Sequence, residues 1–241
     1  LILLFSITLI NNFLYSQVNL NKTAQSTMNF LLVSNSPKSA SMGDAFTAVS
    51  KGAESMFYNP AGLSAMETEF DINLNYTQWI ADINYLSGGI AWNLGLYGVV
   101  GFNLLTIDYG DIRGTSLIDG SQINEYPLGY IDNGLVSNVG AYCIGLSYAK
   151  AISNEFSIGG TIKFAGQNLG ENQLSTGLKE NNATKFVFDA GVKYQTGFKD
   201  FNFGMSIRNF ATNLKREEYD EQLPLVFSLG ASINLIKLFD E

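Results

Sequence analysis

The sequence predicts an all-β fold, a transmembrane antiparallel β-barrel with an N-terminal helical plug, and three observations carry that expectation. From Glu69 onward eight segments alternate apolar and polar residues with period two, the pattern of strands with one apolar face. The connections between them alternate between short and long. The stretch Ser39 to Met66 resembles nothing that follows it: its residues are small, with Ala45, Ala48, Ala53, Ala61 and Ala65 among short polar ones, and it breaks at Asn59-Pro60-Ala61-Gly62.

Composition agrees with a strand-rich chain. Of 241 residues 46% are hydrophobic and 15% charged, and 17 Phe and 12 Tyr accompany 24 Gly but only 4 Pro. Aromatics and glycines in that ratio favour strands and tight turns over helices. The net charge of −8 comes without a basic block, so a nucleic-acid partner is not expected.

Three regions follow in order. Residues 1–16 are apolar up to Asn11-Asn12 and end in Tyr15-Ser16, which reads as the remnant of a secretory signal whose beginning is missing; a buried first strand is the alternative. Residues 17–68 form the plug. Residues 69–241 carry the strands: Phe70 to Tyr76, Tyr85 to Asn93, Leu96 to Ile107, Val139 to Tyr148, Phe156 to Phe164, Phe186 to Tyr194, Phe201 to Arg208 and Leu225 to Leu235. In the sixth, Val187 interrupts the alternation.

Alternation alone does not say which face meets solvent, because a soluble sandwich turns its apolar face inward and an outer-membrane barrel turns it outward. Loop lengths favour the barrel. Connections at Leu94-Gly95, Ser153-Asn154 and Gly197-Phe198 are short, whereas Asp108 to Leu135, Gly166 to Thr184 and Phe210 to Leu223 are long and polar, the rhythm of periplasmic turns and external loops. The turn between the first two strands, Gln78 to Ile83, falls on the external side although it is compact. An eight-stranded barrel is filled by its own side chains, so a plug of this size implies more strands than eight, with the chain stopping at a turn near Lys237 to Glu241.

Catalytic chemistry is sparse. No His occurs, which removes His-based triads and His-ligated zinc, and one Cys removes cysteine metal clusters. Cys143 reads as a small apolar strand residue, and Gly88-Gly89 as a close approach of backbones. No phosphate-binding glycine loop stands at a strand-to-helix junction. The acidic run Glu217-Glu218-Tyr219-Asp220-Glu221 reads as a solvated loop. No enzyme, cofactor or metal is expected. The charges placed on the inner side of the strands, Lys163, Asp189, Lys193 and Arg208, are the candidates for function inside the fold. The plainer reading pairs them with each other or with plug residues such as Asp44 and Glu54.

Ser39 to Val49, followed by Tyr58-Asn59-Pro60-Ala61-Gly62-Leu63, resembles the N-terminal hatch of the PorV/PorQ family of outer-membrane proteins, itself similar to FadL-type channels; Trp79 to Ile83 and Leu223-Pro224 extend the likeness. The resemblance implies a barrel of about fourteen strands, of which eight are present here, located in the bacterial outer membrane. It implies a hatch or gate built from Met42, Gly43, Phe46, Phe57, Tyr58, Asn59, Pro60, Ala61 and Gly62. Two functions follow from it: a component of type IX protein secretion that binds the translocon or the C-terminal signals of cargo, or a passive channel for hydrophobic small molecules. Outer-membrane lipid, the secretion partners and a hydrophobic ligand are the implied partners.

Overall fold

In a computed structural model of the chain, residues 26–136, 138–174, 177–216 and 219–236 are described. The signal-like residues 1–16, Glu217 and Glu218 of the acidic run, and the turn at Lys237 to Glu241 lie outside them.

The N-terminal part is built from short helical turns. Residues Asn29–Leu32, Ala53–Phe57 and Pro60–Ala65 form 3-10 turns, and α1 spans Pro37–Ser41. Two of these start alike. Ser36 and Asn59 each lend a side-chain oxygen to a backbone N–H two or three residues on, and each is followed by a proline whose fixed φ suits the first helical position.

Among the described residues twelve strands follow: β1 (Phe70–Gln78), β2 (Asn84–Asn93), β3 (Val99–Asp108), β4 (Arg113–Leu117), β5 (Tyr130–Leu135), β6 (Val139–Ala151), β7 (Phe156–Leu174), β8 (Gly177–Gln195), β9 (Asn202–Phe210), β10 (Leu214–Arg216), β11 (Tyr219–Glu221) and β12 (Val226–Ser232). Eight make one antiparallel sheet in the order β1-β2-β3-β6-β7-β8-β9-β12, while β4–β5 and β10–β11 are separate hairpins. Those hairpins occupy two of the segments read as long loops. The third, Gly166 to Thr184, is largely strand, because β7 and β8 continue through it across a register shift between Asn168 and Glu171. The third strand starts at Val99 rather than Leu96, since Gly95 and Gly98 both adopt positive φ and close a tight turn there.

The expected transmembrane barrel is not formed. Among the described residues β1 pairs only with β2 and β12 only with β9, so the sheet is open at both edges, and the architecture is a mixed one of helical turns packed on a large open antiparallel sheet. The physical reason lies on the inner face. An eight-stranded barrel must fill its interior with its own side chains, whereas here the inner face is occupied by residues 26–66. Open edges also carry unpaired backbone groups that cannot be left in hydrocarbon, which overturns the placement as a barrel in the outer membrane. Among the described residues no helix is long and apolar enough to cross a membrane.

The two faces differ sharply. Inward positions of β2, β3, β6, β7 and β8 supply Tyr85, Leu105, Ile107, Cys143, Ala165 and Val187, which pack with Met28 and Phe30 of the N-terminal part. Val187 therefore breaks the alternation because it belongs to this core. A second cluster joins Ala53, Met56, Leu63 and Met66 to Ala91, Val99 and Ala149.

Candidate functional site: the seam between the N-terminal segment and the sheet

The seam begins with missing side chains. Ala149, Gly159, Gly191 and Ser206 are register partners on β6, β7, β8 and β9, which makes a low row across the inner face. The Asn59-Pro60 turn lies in this row. A Cβ on Gly159 would stand 2.5 Å from the Pro60 carbonyl carbon, and one on Gly191 would collide with Asn59 Oδ1. Gly204 does the same for Thr47, where a Cβ would lie 2.5 Å from the carbonyl oxygen, and Gly89 for Met56, at 2.7 Å from Cε. Glycine here permits close approach of backbone at Gly159 and Gly204 and of a side chain at Gly191 and Gly89.

Asn59 is the centre of the turn and is fully buried. Its Oδ1 accepts from Ala61 N at 3.2 Å, and its Nδ2 donates to Thr47 O at 2.9 Å and to Val192 O at 3.1 Å. One amide thus ties two parts of the segment to β8. Further ties come from strand side chains: Ser87 Oγ donates to Asn35 O at 3.1 Å, Ala53 N donates to Asp71 Oδ2 at 3.0 Å, Lys193 Nζ donates to Ser50 O at 2.9 Å, and Arg208 Nη1 donates to Phe57 O at 2.9 Å.

The four charges singled out from the sequence therefore face the N-terminal segment, in two different ways. Lys163 and Asp189 pair with each other at 2.7 Å, and Asn209 completes the unit, accepting from Lys163 Nζ through Oδ1 and donating its N–H to Asp189 Oδ1, both at 2.8 Å. Lys193 and Arg208 instead hold backbone carbonyls. Neither pairs with Asp44 or Glu54; those acids accept from Ser39 Oγ and Ser36 Oγ within the segment itself. Burial, and then the charge of Lys51, pulls the Lys193 ammonium down to a pKa of about 8. Burial also lowers Arg208, with Asp189, Tyr58 and Asp44 opposing the shift.

The residues expected to form a hatch divide as well. Phe46, Tyr58, Asn59, Pro60, Ala61 and Gly62 are buried at the seam, with Phe46 and Tyr58 edge to face at 5.1 Å and Arg208 over the Tyr58 ring at 5.6 Å. Phe57 is half-buried. Met42 and Gly43 are exposed, and nothing lies within 4 Å of where a Gly43 side chain would start. Sequence reasoning missed Asn209, Asp71 and Ser87. It also passed over the glycine row, although glycine at inward positions of successive strands was a readable signal.

A second opening lies toward the β4–β5 end. Trp79, Tyr85, Tyr109 and Phe30 line an open cleft of about 480 Å³, in which Gln167 Nε2 donates to Tyr109 Oη at 2.9 Å. Burial pushes the Tyr85 phenol up to about 12 and raises Tyr109 too, so both rings are neutral. Among the described residues no group of three or more His, Cys, Asp or Glu side chains is placed to hold a metal.

Fold and seam together define a class: an open antiparallel sheet with an N-terminal segment fastened to one face. No family model matches the chain, and no curated protein matches it. The resemblance to the PorV/PorQ family and to FadL-type channels is thereby overturned, since neither comparison returns it and the sheet does not close. The functions it implied, type IX secretion and passive transport, go with it: the secretion role rested on that family alone, and a channel needs a closed wall.

Proposed function

We propose that this chain acts by association rather than catalysis, as a sheet whose outer face lies on a lipid surface. The observation that carries this reading is the composition of that face. Outward positions within Phe70–Tyr76, Leu86–Trp92, Val100–Thr106, Tyr142–Tyr148, Phe156–Phe164, Phe186–Tyr194, Phe203–Ile207 and Phe227–Ala231 hold no charged residue. Large side chains stand there in solvent, Ile72 at 71%, Leu74 at 73%, Leu146 at 67% and Leu229 at 73% exposure.

Seven interstrand spacings of about 4.8 Å and seven residues of about 3.3 Å put the patch on the order of 800 Å². Monomers seldom expose more than roughly 300–600 Å² in one apolar patch. Aromatics with a polar tip, Tyr76, Trp92, Tyr148 and Tyr194, sit at strand ends, where such rings suit a boundary between apolar and wet surroundings. A face laid on the acyl boundary keeps the open edges at headgroup level, where water satisfies their backbone groups. Contact of this kind requires neither a closed barrel nor a channel.

The test is flotation of the protein with phosphatidylcholine vesicles, combined with quenching of Trp92 by brominated lipids in a Trp79→Phe background. The expected result is co-flotation with quenching by bromines near the headgroups, lost when Leu74 and Leu146 are both replaced by Glu. A protein that stays unbound as a monomer, or one quenched only by bromines at the bilayer centre, overturns the reading.

A further inference from the structure

Beside the Phe57–Tyr58 peptide the segment and the sheet do not quite meet, and a cavity of about 30 Å³ remains between them. Asn35 and Tyr58 line it from the segment, and Lys163, Arg208 and Asn209 from the sheet. It has room for one or two water-sized groups.

Hydrogen bonding in its wall is lopsided. The amide acceptors there are engaged: Asn35 Oδ1 accepts from Tyr58 Oη and Asn209 Oδ1 accepts from Lys163, while Asp189, behind Lys163, accepts from Asn209 N through Oδ1 and is ion-paired to Lys163 through Oδ2. Donors are left over. Arg208 Nε is buried without a partner, and among the described residues Arg208 makes no ion pair. Lys163 has protons beyond the one given to Asn209.

Arg208 is half-buried with its Nε enclosed, and Asp189 and Asp44 attract it from beyond ion-pair distance; an enclosed guanidinium N–H with no acceptor is unfavourable. The carboxylate at the cavity, Asp44, is exposed and already accepts from Ser39 Oγ, so solvent weakens its hold on Arg208. An anion needs donors only.

We infer that this cavity binds one small monovalent anion, of chloride or formate size, held by Arg208 and Lys163. The site is independent of what covers the outer face.

The experiment is thermal unfolding of the full chain at constant ionic strength, with gluconate replaced stepwise by chloride, bromide, formate or sulfate. Chloride, bromide and formate should each raise Tm by a few °C along a one-site saturation curve, while sulfate, too large for the cavity, should not. In Arg208→Gln the half-saturating concentration should rise roughly tenfold or more, the loss expected for one charge-assisted hydrogen bond. If that variant does not fold, the ³⁵Cl line width of chloride with the unaltered protein decides, since protein should broaden it and bromide should reverse the broadening. A Tm indifferent to the anion, a response to sulfate equal to that for chloride, an unchanged response in folded Arg208→Gln, or a chloride line that bromide does not sharpen would each overturn the site.

Discussion

Asn59 Nδ2 meets the carbonyl oxygen of Val192 at 3.1 Å across 133 positions of chain, and the same amide holds Thr47 O at 2.9 Å. A single buried side chain therefore fastens two parts of the N-terminal segment to the middle of the sheet. Its replacement is the most direct probe of the seam.

Asn59→Ala removes two donors and one acceptor in a place water does not reach. Each buried group left unpaired costs about 1–3 kcal/mol, so with three such groups a total loss of about 3 kcal/mol or more is expected in urea unfolding. Asn59→Asp keeps the acceptor for Ala61 N and loses both donors, so it should be no more stable than the alanine variant. A loss below about 1 kcal/mol in both would mean that the turn is held by packing alone.

Neighbouring glycines offer a sharper contrast. Gly159 faces the Pro60 backbone, whereas a Cβ on Gly160 would find only Asp189 O at an ordinary 3.5 Å. Gly159→Ala should cost about 1–3 kcal/mol, the usual range for overpacking, and should speed proteolytic cutting within residues 26–66. Gly160→Ala should leave both measures unchanged. Equal behaviour of the two variants would contradict the close approach described at the seam.

The Lys163–Asp189 pair is buried, so breaking it differs from removing it. Asp189→Asn strands the ammonium and should cost about 3–5 kcal/mol, while the double change Lys163→Met with Asp189→Leu should recover much of that loss. Chemical denaturation of the two variants side by side checks the order. A double variant less stable than Asp189→Asn would show that Asn209 depends on the pair for its own position.

The buried Lys193 predicts a slope with pH. Its folded pKa of about 8 lies below the ordinary lysine value of 10.5, so between those values the unfolded chain binds more protons and stability rises with pH. The full rise is on the order of 3 kcal/mol. Tyr85 acts oppositely and later: its pKa of about 12 lies above 10.0, so the folded state keeps its proton longer and stability falls as pH climbs from about 10 toward 12. Lys193→Met should abolish the rise between pH 8 and 10 and leave the later fall. A rise that survives in this variant would assign it to another group.

Much of the fold was legible because strand formation leaves a local trace. Alternation located all eight strands of the main sheet, six of them to within about three residues at each end, while β7 and β8 run on about ten and nine residues past their expected ends, and Ser36-Pro37 and Asn59-Pro60 are local capping signals. What misled was the step from strands to barrel. Period two says that a strand has an apolar face and leaves open whether its edge finds a partner, and the loop rhythm that suggested a barrel is equally the rhythm of an open meander. The long polar connections contained hairpins and strand extensions, since polar residues at the exposed margin of a sheet do not reveal pairing. At the seam, charge type could be read from single residues, but Lys163 met Asp189 and Arg208 met Phe57 O only because distant strands fell into register.

By itself, then, the sequence determined the eight strands of the main sheet, which residues share a face of each, the small residues of the N-terminal segment and the absence of His chemistry, because all of these depend on residues a few positions apart. The tertiary structure alone decided that the sheet stays open, that the glycines of β7 and β8 line up under Asn59, and that Arg208 Nε is enclosed without a hydrogen-bond partner. Those outcomes depend on pairings between residues more than a hundred positions apart and on how much of the inner face the N-terminal segment fills, and no local pattern encodes either.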